Sequence, residues 1–204
     1  TAPFEGMEAM ADLLKAELAR DSADVLKEIT DAGVRGRGGA GFPMGVKWGF
    51  ARKEKNDTKF IICNADEGDP GAFSDRYLLE QRPHLVLFGM IIAGFCMGAE
   101  WGVLYIRAEY PESFPIVEAA IAEFREHGLL GKDINGQGFN FEFKIIRGQG
   151  AYICGEETAL ISSIEGQRPE VRTRPPFPAQ QGLFNKPTIV NNVETLAIVP
   201  YVMR

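Results

Sequence analysis

The 204-residue sequence predicts an α/β fold built on a largely parallel sheet. Three observations carry that expectation. Phe139, Phe141, Phe143 and Ile145 alternate with Asn140, Glu142 and Lys144, the period-two pattern of a strand. Two apolar runs, 59–63 and 102–107, have the length of buried strands. Helical stretches of ten or more residues separate these runs, and strands alternating with helices imply crossover connections in a parallel sheet. Ligand loops then gather at the carboxyl ends of the strands.

Residues 5–18 and 22–32 read as two helices, the second carrying Val25, Leu26 and Ile29 at helical spacing behind Ser22 as its cap. Strand 59–63 is followed by the loop Asn64-Ala-Asp-Glu-Gly-Asp-Pro-Gly71. Pro83 opens a helix running to residue 99. Its span 85–99 has fifteen uncharged residues, too few to cross a bilayer and suited to a buried central helix. Strand 102–107 and helix 115–127 come next, then strand 139–147 and a loop, Gly148-Gln-Gly-Ala-Tyr-Ile-Cys-Gly155, leading into helix 156–165. Residues 172–181 are proline-rich and irregular. A last helix begins near Val193 and meets Pro200, an ending that suggests a segment of a longer polypeptide. Residues 1–34 form an N-terminal helical segment, and 35–204 a ligand-binding domain.

A chain of this length buries roughly 70% of its unfolded surface. Net charge −6 and the lack of basic runs argue against a nucleic-acid partner. Cys63, Cys96 and Cys154 are widely spaced and odd in number, which favours a reducing compartment and argues against a complete metal or iron–sulfur site within this segment. Cys96 reads as a small buried hydrophobe. His84 and His127 stand alone, without a partner for metal binding or a triad. The segment opens with no signal peptide.

The most informative motif is Gly36-Arg-Gly-Gly-Ala-Gly-Phe-Pro43, with Lys47-Trp48 behind it. Four glycines in six positions let a backbone approach a ligand and turn its N–H groups toward it. Arg37 and Lys47 add positive charge, and Phe42, Trp48 and Phe50 add flat apolar faces, which together suit a mononucleotide or dinucleotide. A P-loop would need Lys-Ser or Lys-Thr after its last glycine. The spacing Gly36-x-Gly38-x-x-Gly41 matches a dinucleotide fingerprint, but a helix precedes it and Pro43 stands where that fingerprint's helix would start. A glycine-rich surface turn is the plain alternative.

The acidic loop fails as a calcium site, because its oxygen spacing is wrong and no Glu closes it. A solvated turn and a binder of ribose or ribityl hydroxyls both remain open. Glu156 and Glu157 suit a helix N-terminus on electrostatic grounds, while Tyr152 and Gly155 leave room for a planar ring. Asn192 reads as an N-cap whose helix could offer free N–H groups to a phosphate. No nucleophile stands with a base, so the residues look arranged to hold cofactors that bring their own chemistry.

Gly36-Arg-Gly-Gly-Ala-Gly-Phe-Pro43, Asn64-Ala-Asp-Glu-Gly-Asp-Pro-Gly71, Gly155-Glu-Glu-Thr-Ala-Leu160 and Asn191-Asn-Val-Glu-Thr195 resemble the FMN- and NADH-binding subunit of respiratory complex I. The same subunit type occurs in NAD-linked and electron-bifurcating hydrogenases and in NAD-dependent formate dehydrogenases. The likeness runs in order from about residue 30 to residue 199. It implies a Rossmann-like FMN domain with helices on both faces of its sheet, in which NADH passes a hydride to the flavin. By the resemblance, Gly36, Arg37, Gly38, Lys47, Asn64, Asp66, Glu67, Tyr152, Gly155, Glu156, Val190, Asn191, Asn192 and Thr195 would hold FMN. Gly39, Ala40, Phe42, Lys47, Phe50, Asp69, Glu157, Arg174 and Phe177 would contact NADH, the phenylalanines stacking on adenine and Glu157 near the nicotinamide.

The resemblance further implies a cytoplasmic enzyme without a transmembrane segment of its own, at the face of a membrane complex where one exists. Its electrons would go singly to iron–sulfur partners: a thioredoxin-like ferredoxin-type subunit and the large subunit of a hydrogenase, formate dehydrogenase or complex I. The family's ubiquitin-like domain and [4Fe-4S] domain are expected outside this segment. Glu67-Gly68-Asp69 stands where complex I usually has Glu-Ser-Glu, closer to the hydrogenase branch, and Met44 and Arg174 replace a common threonine and lysine. Two rival readings are an FMN relay or bifurcating subunit that does not use NADH, and a scaffold without flavin.

Overall fold

The computed structural model describes residues 6–148 and 151–204. Glu5, which the sequence places in the first helix, and Gln149 and Gly150 of the second glycine loop lie outside the described residues. The described elements run α1 (Met7–Leu18), α2 (Ser22–Asp31), α3 (Met44–Lys53), β1 (Phe60–Ala65), α4 (Ser74–Gln81), α5 (Pro83–Met97), β2 (Trp101–Arg107), α6 (Ser113–Glu126), β3 (Gly131–Ile134), β4 (Phe139–Gly148), α7 (Glu157–Ile164), β5 (Thr188–Asn192), α8 (Val193–Ala197) and α9 (Val199–Val202). The strands form one sheet in the order β3-β4-β2-β1-β5. β4, β2, β1 and β5 are parallel, and only β3 runs antiparallel at the edge.

The sheet separates two apolar layers because successive side chains of a strand point to opposite faces. Ile61, Cys63 and Ala65 of β1 join Leu104, Ile106 and Ile189 in the larger core, which α1, α2, α3, α5, α6 and α8 complete. Ile62, Val103, Tyr105 and Val190 face the smaller core with Cys154 and with Leu160 and Ile161 of α7. Helices therefore cover both faces of the sheet, as the Rossmann-like resemblance implies.

α5 is the centre of the larger layer. All of its residues except His84 and Phe95 are buried, so it lacks the polar stripe of a surface helix. Pro83 occupies its first turn, where a missing N–H costs nothing. Lys59, itself buried, donates to the carbonyls of Arg52 and Met97 at 3.1 Å each and so closes the ends of α3 and α5. Gly89 lets α8 reach α5: a Cβ there would lie 2.1 Å from the Leu196 carbonyl oxygen.

Several sequence expectations need correction. α2 is capped by Asp21, whose carboxylate accepts from the Ala23 N–H at 2.7 Å, and Ser22 is the first helical residue. α3, α4, β3 and β5 are not evident from pattern. α3 carries little amphipathic signal, and its Gly45 passes within contact of Thr30 on α2, where a side chain would not fit. β5 is short and buried at nearly every position, so no alternation marks it. His84 and His127 do have partners: His84 Nε2 lies 2.9 Å from Glu123 Oε2, and His127 Nδ1 lies 2.8 Å from the Glu123 carbonyl. Among the described residues no group of His, Cys, Asp and Glu could hold a metal, and no helix is long and apolar enough to cross a membrane.

Gly89→Ala forces a methyl into backbone that neither helix can yield, with an expected loss of about 3 kcal/mol. For a chain of this size that lowers the melting temperature by on the order of 10 °C in a thermal scan. An unchanged transition would show that α8 can move away from α5 freely.

Candidate functional site

The parallel register brings the carboxyl ends of the strands to one side of the sheet: Asn64 lies beside Asn192, and Arg107 beside Gly148. The glycine loop arrives there between α2 and α3, pinched at its base by the Gly36 N–H to Phe42 carbonyl bond of 2.9 Å and the Met44 N–H to Val34 carbonyl bond of 2.9 Å. A helix does feed this loop. Pro43, however, does not oppose a following helix. It is the N-cap of α3, where its φ of −60° is already suitable and no N–H is missed.

Two contacts fix the loop to the far end of the chain. The Arg37 N–H donates to Thr195 Oγ1 at 2.9 Å, and Thr195 is fully buried. A Cβ on Gly38 would be in van der Waals contact with the Asn192 side chain at 3.5 Å. The Arg37 guanidinium reaches Glu194 at 3.9 Å. Gly39 takes a φ of +113°, which turns the chain in a way L side chains resist. The N–H groups of Gly38 and Gly39 make no hydrogen bond among the described residues.

α3 sorts its aromatic residues by helical angle. Phe42 and Phe50 stay about half exposed with ring centroids 6.3 Å apart at 43°. Trp48, two residues before Phe50, points the other way. It is fully buried and donates its indole N–H to Asn191 Oδ1 at 2.8 Å. The sequence-based expectation that Trp48 offers a face to a ligand is therefore wrong. Lys47 lies between these sides, with Nζ 2.7 Å from the Val190 carbonyl and 3.2 Å from Glu157 Oε2.

The acidic loop is less open than its composition suggests. Glu67 is buried, and its carboxylate accepts from Ser74 Oγ, the Asp75 and Arg76 N–H groups and the Tyr110 hydroxyl, at 3.1–3.2 Å. It thus caps α4 from outside the helix. Asn64 Nδ2 donates to the Gly155 carbonyl at 2.9 Å and ties this loop to the next. Asp69 closes a local turn by accepting the Gly71 N–H at 2.9 Å. Asp66 is half-buried, and loss of solvent raises its carboxyl to about 6 despite the opposing charge of Arg107. A Cβ on Gly68 would stand 2.9 Å from the Tyr152 ring, so glycine there lets that ring lie on the loop with most of its surface exposed.

Glu156 is the N-cap of α7, accepting from the Thr158 and Ala159 N–H groups at 2.9 and 3.0 Å. Burial works to raise its carboxyl, but these bonds and Arg174 leave it below the ordinary value. Arg174 pairs with Glu156 and also lies 3.3 Å from Glu157. Phe177 follows on the exposed side, and Ala40 lies exposed in the glycine loop. Asn192 is the N-cap of α8, as expected, but its Oδ1 takes the Glu194 and Thr195 N–H groups itself at 2.9 and 3.3 Å. Those N–H groups are not free for a phosphate.

Asp75 does not stand out in the sequence, where it is one acid in the first turn of a helix that no pattern marks. It is buried, and its two oxygens accept from Asn192 Nδ2 at 3.1 and 3.0 Å. Burial, with the negative charge of Glu67 beside it, raises its carboxyl to about 7. An unfolded aspartate titrates near about 3.9. Between these values the folded protein binds the extra proton, so stability declines as pH rises from about 4 to about 7. Asp75→Asn removes that term. Its melting temperature relative to wild type should therefore improve progressively between pH 4 and pH 7 and level off above, and a constant difference across that range would contradict the assignment.

The sequence matches the family model of the Nuo51 FMN-binding domain over residues 29–201. It is 52% identical over 200 residues to the NADP-reducing hydrogenase subunit HndC of Solidesulfovibrio fructosivorans, covering 98% of this chain and 40% of that one. Identity to an NADH-quinone oxidoreductase subunit of Escherichia coli is 50% over 181 residues, covering 88% of this chain and 41% of the relative. Among solved structures, an NAD+-reducing [NiFe]-hydrogenase in the H2-reduced state superposes with a TM-score of 0.87 at 43% identity, over 95% of this chain and 32% of that chain. This chain thus spans about 40% of the length of these curated relatives. With four motif loops converging at the carboxyl ends of a parallel sheet, the chain belongs to the Nuo51 FMN-binding domain family.

Proposed function

We propose that this chain binds FMN across the ends of β1 and β5 and serves as the hydride-exchanging part of an NAD(H)-linked redox enzyme. The single observation that carries the reading is the convergence of the glycine loop, the acidic loop, residues 151–157 and the β5–α8 junction, joined by the Arg37–Thr195, Asn64–Gly155 and Lys47–Val190 contacts. The donor set fits a phosphorylated flavin. Unengaged N–H groups at Gly38 and Gly39, with Arg37 close by, suit a phosphate, and the Asp66 carboxylate suits a polyol hydroxyl. When bound, FMN would supply hydride acceptance and one-electron release, chemistry that no side chain here provides.

What the chain's own residues do is bind, orient and exclude water. The tilted Phe42–Phe50 pair offers an aromatic surface for adenine, and Phe177 a further exposed ring. Lys47 and Arg174 hold Glu157 from two sides, which fixes a carboxylate at the start of α7. Gly39, Ala40 and Asp69 lie in the turns that flank this surface. Holding a nicotinamide about 3–3.5 Å from a flavin is a demand on position, and needs no acid–base residue in the chain. Electrons would then pass singly to iron–sulfur partners, the three cysteines of this chain being free and buried. Relatives named as a hydrogenase subunit and an NADH-quinone oxidoreductase subunit support this reading.

Two measurements test this. An anaerobic visible spectrum of FMN-loaded protein should bleach on addition of NADH. Flavin that binds but ignores NADH favours the relay reading, and failure to bind FMN at all overturns the proposal. Phe50→Ala should raise the KM for NADH about tenfold, as expected for loss of one aromatic contact worth about 1–1.5 kcal/mol, with FMN content unchanged.

A further inference from the structure

We infer that Asp75 is a positioning residue for the flavin site, holding the glycine loop in place through Asn192. The inference rests on the FMN reading above. The chain of contacts is continuous. Glu67 accepts the Asp75 N–H at 3.1 Å and so ties the acidic loop to the start of α4. The Asp75 oxygens accept both bonds from Asn192 Nδ2, at 3.1 and 3.0 Å. That settles which way the Asn192 amide faces, leaving Oδ1 for the Glu194 and Thr195 N–H groups. Thr195 Oγ1 in turn accepts the Arg37 N–H at 2.9 Å, and Asn192 lies where a Cβ on Gly38 would touch it.

The surroundings of Asp75 make a merely local role insufficient. No cation pairs with it among the described residues, and the charged groups near it are the acids Glu67 and Glu194. Cys63, on β1 beneath it, has its thiol raised by burial and by the Asp75 charge. A buried carboxyl in acidic company is unfavourable unless its hydrogen bonds accomplish something. Among the described residues its side-chain partner is Asn192. A serine or asparagine would suffice to start α4, whose N–H groups Glu67 already caps.

The test is a double-mutant cycle on FMN affinity, read by flavin fluorescence as FMN is titrated into the flavin-stripped full chain. Asp75→Leu keeps the branched volume without an acceptor, Asp75→Asn keeps one acceptor, and each is paired with Asn192→Ala. Asp75→Leu should weaken FMN about tenfold, and Asp75→Asn less than about threefold. In the Asn192→Ala background Asp75→Leu should cost less than about twofold. A loss of the same factor in both backgrounds, or no loss at all, overturns the positioning role. If Asp75→Leu does not fold, Asp75→Ser, too short to reach Asn192, enters the same cycle with the same expectation. Wild-type protein that takes up no FMN would overturn the reading of the site instead, so the two failures are distinguishable.

Discussion

The contact between Gly89 of α5 and the backbone of Leu196 in α8 is the constraint on which the site depends. α8 is only five residues long and cannot be stable alone. It holds its place because a buried helix with no side chain at one position lets it come close. From there Thr195 Oγ1 accepts the Arg37 N–H. The glycine loop, which has little reason of its own to adopt one shape, thus inherits its position from the core.

The carboxylates at the site divide by how they are satisfied. Glu67 and Glu156 cap helices α4 and α7 and are rich in donors. Glu157 sits between two cations. Asp66 and Asp75 lack donors and charge enough to offset burial, and both carboxyls are raised by it. Such groups are retained against a cost in stability. Asp66 is half-buried, whereas Asp75 is buried against Asn192. The cations Arg37, Lys47 and Arg174 lie beside Glu194, Glu157 and Glu156 of these loops.

The family relationship and the geometry agree on a division of labour. On the proposed reading the fold supplies a firm base at the carboxyl ends of the strands, the loops supply backbone N–H groups and aromatic surface, and the redox chemistry belongs to the cofactor. The chain spans about 40% of the length of these curated relatives.

The sequence by itself determined the α/β class, three of the strands, the buried nature of α5 and the four motif loops. Each of these is written in local periodicity or in glycine and proline spacing, which a single segment can show. It was silent on β5 and α3, whose residues form strand and helix because neighbours bury them. It also misassigned Trp48, because two aromatics two residues apart look alike in a list but face opposite ways on a helix. Glu67 as a helix cap and Asp75 as the partner of Asn192 join residues as far apart as 117 positions. Only the tertiary structure could decide these, since the direction of a side chain and the donors it meets depend on packing between distant segments.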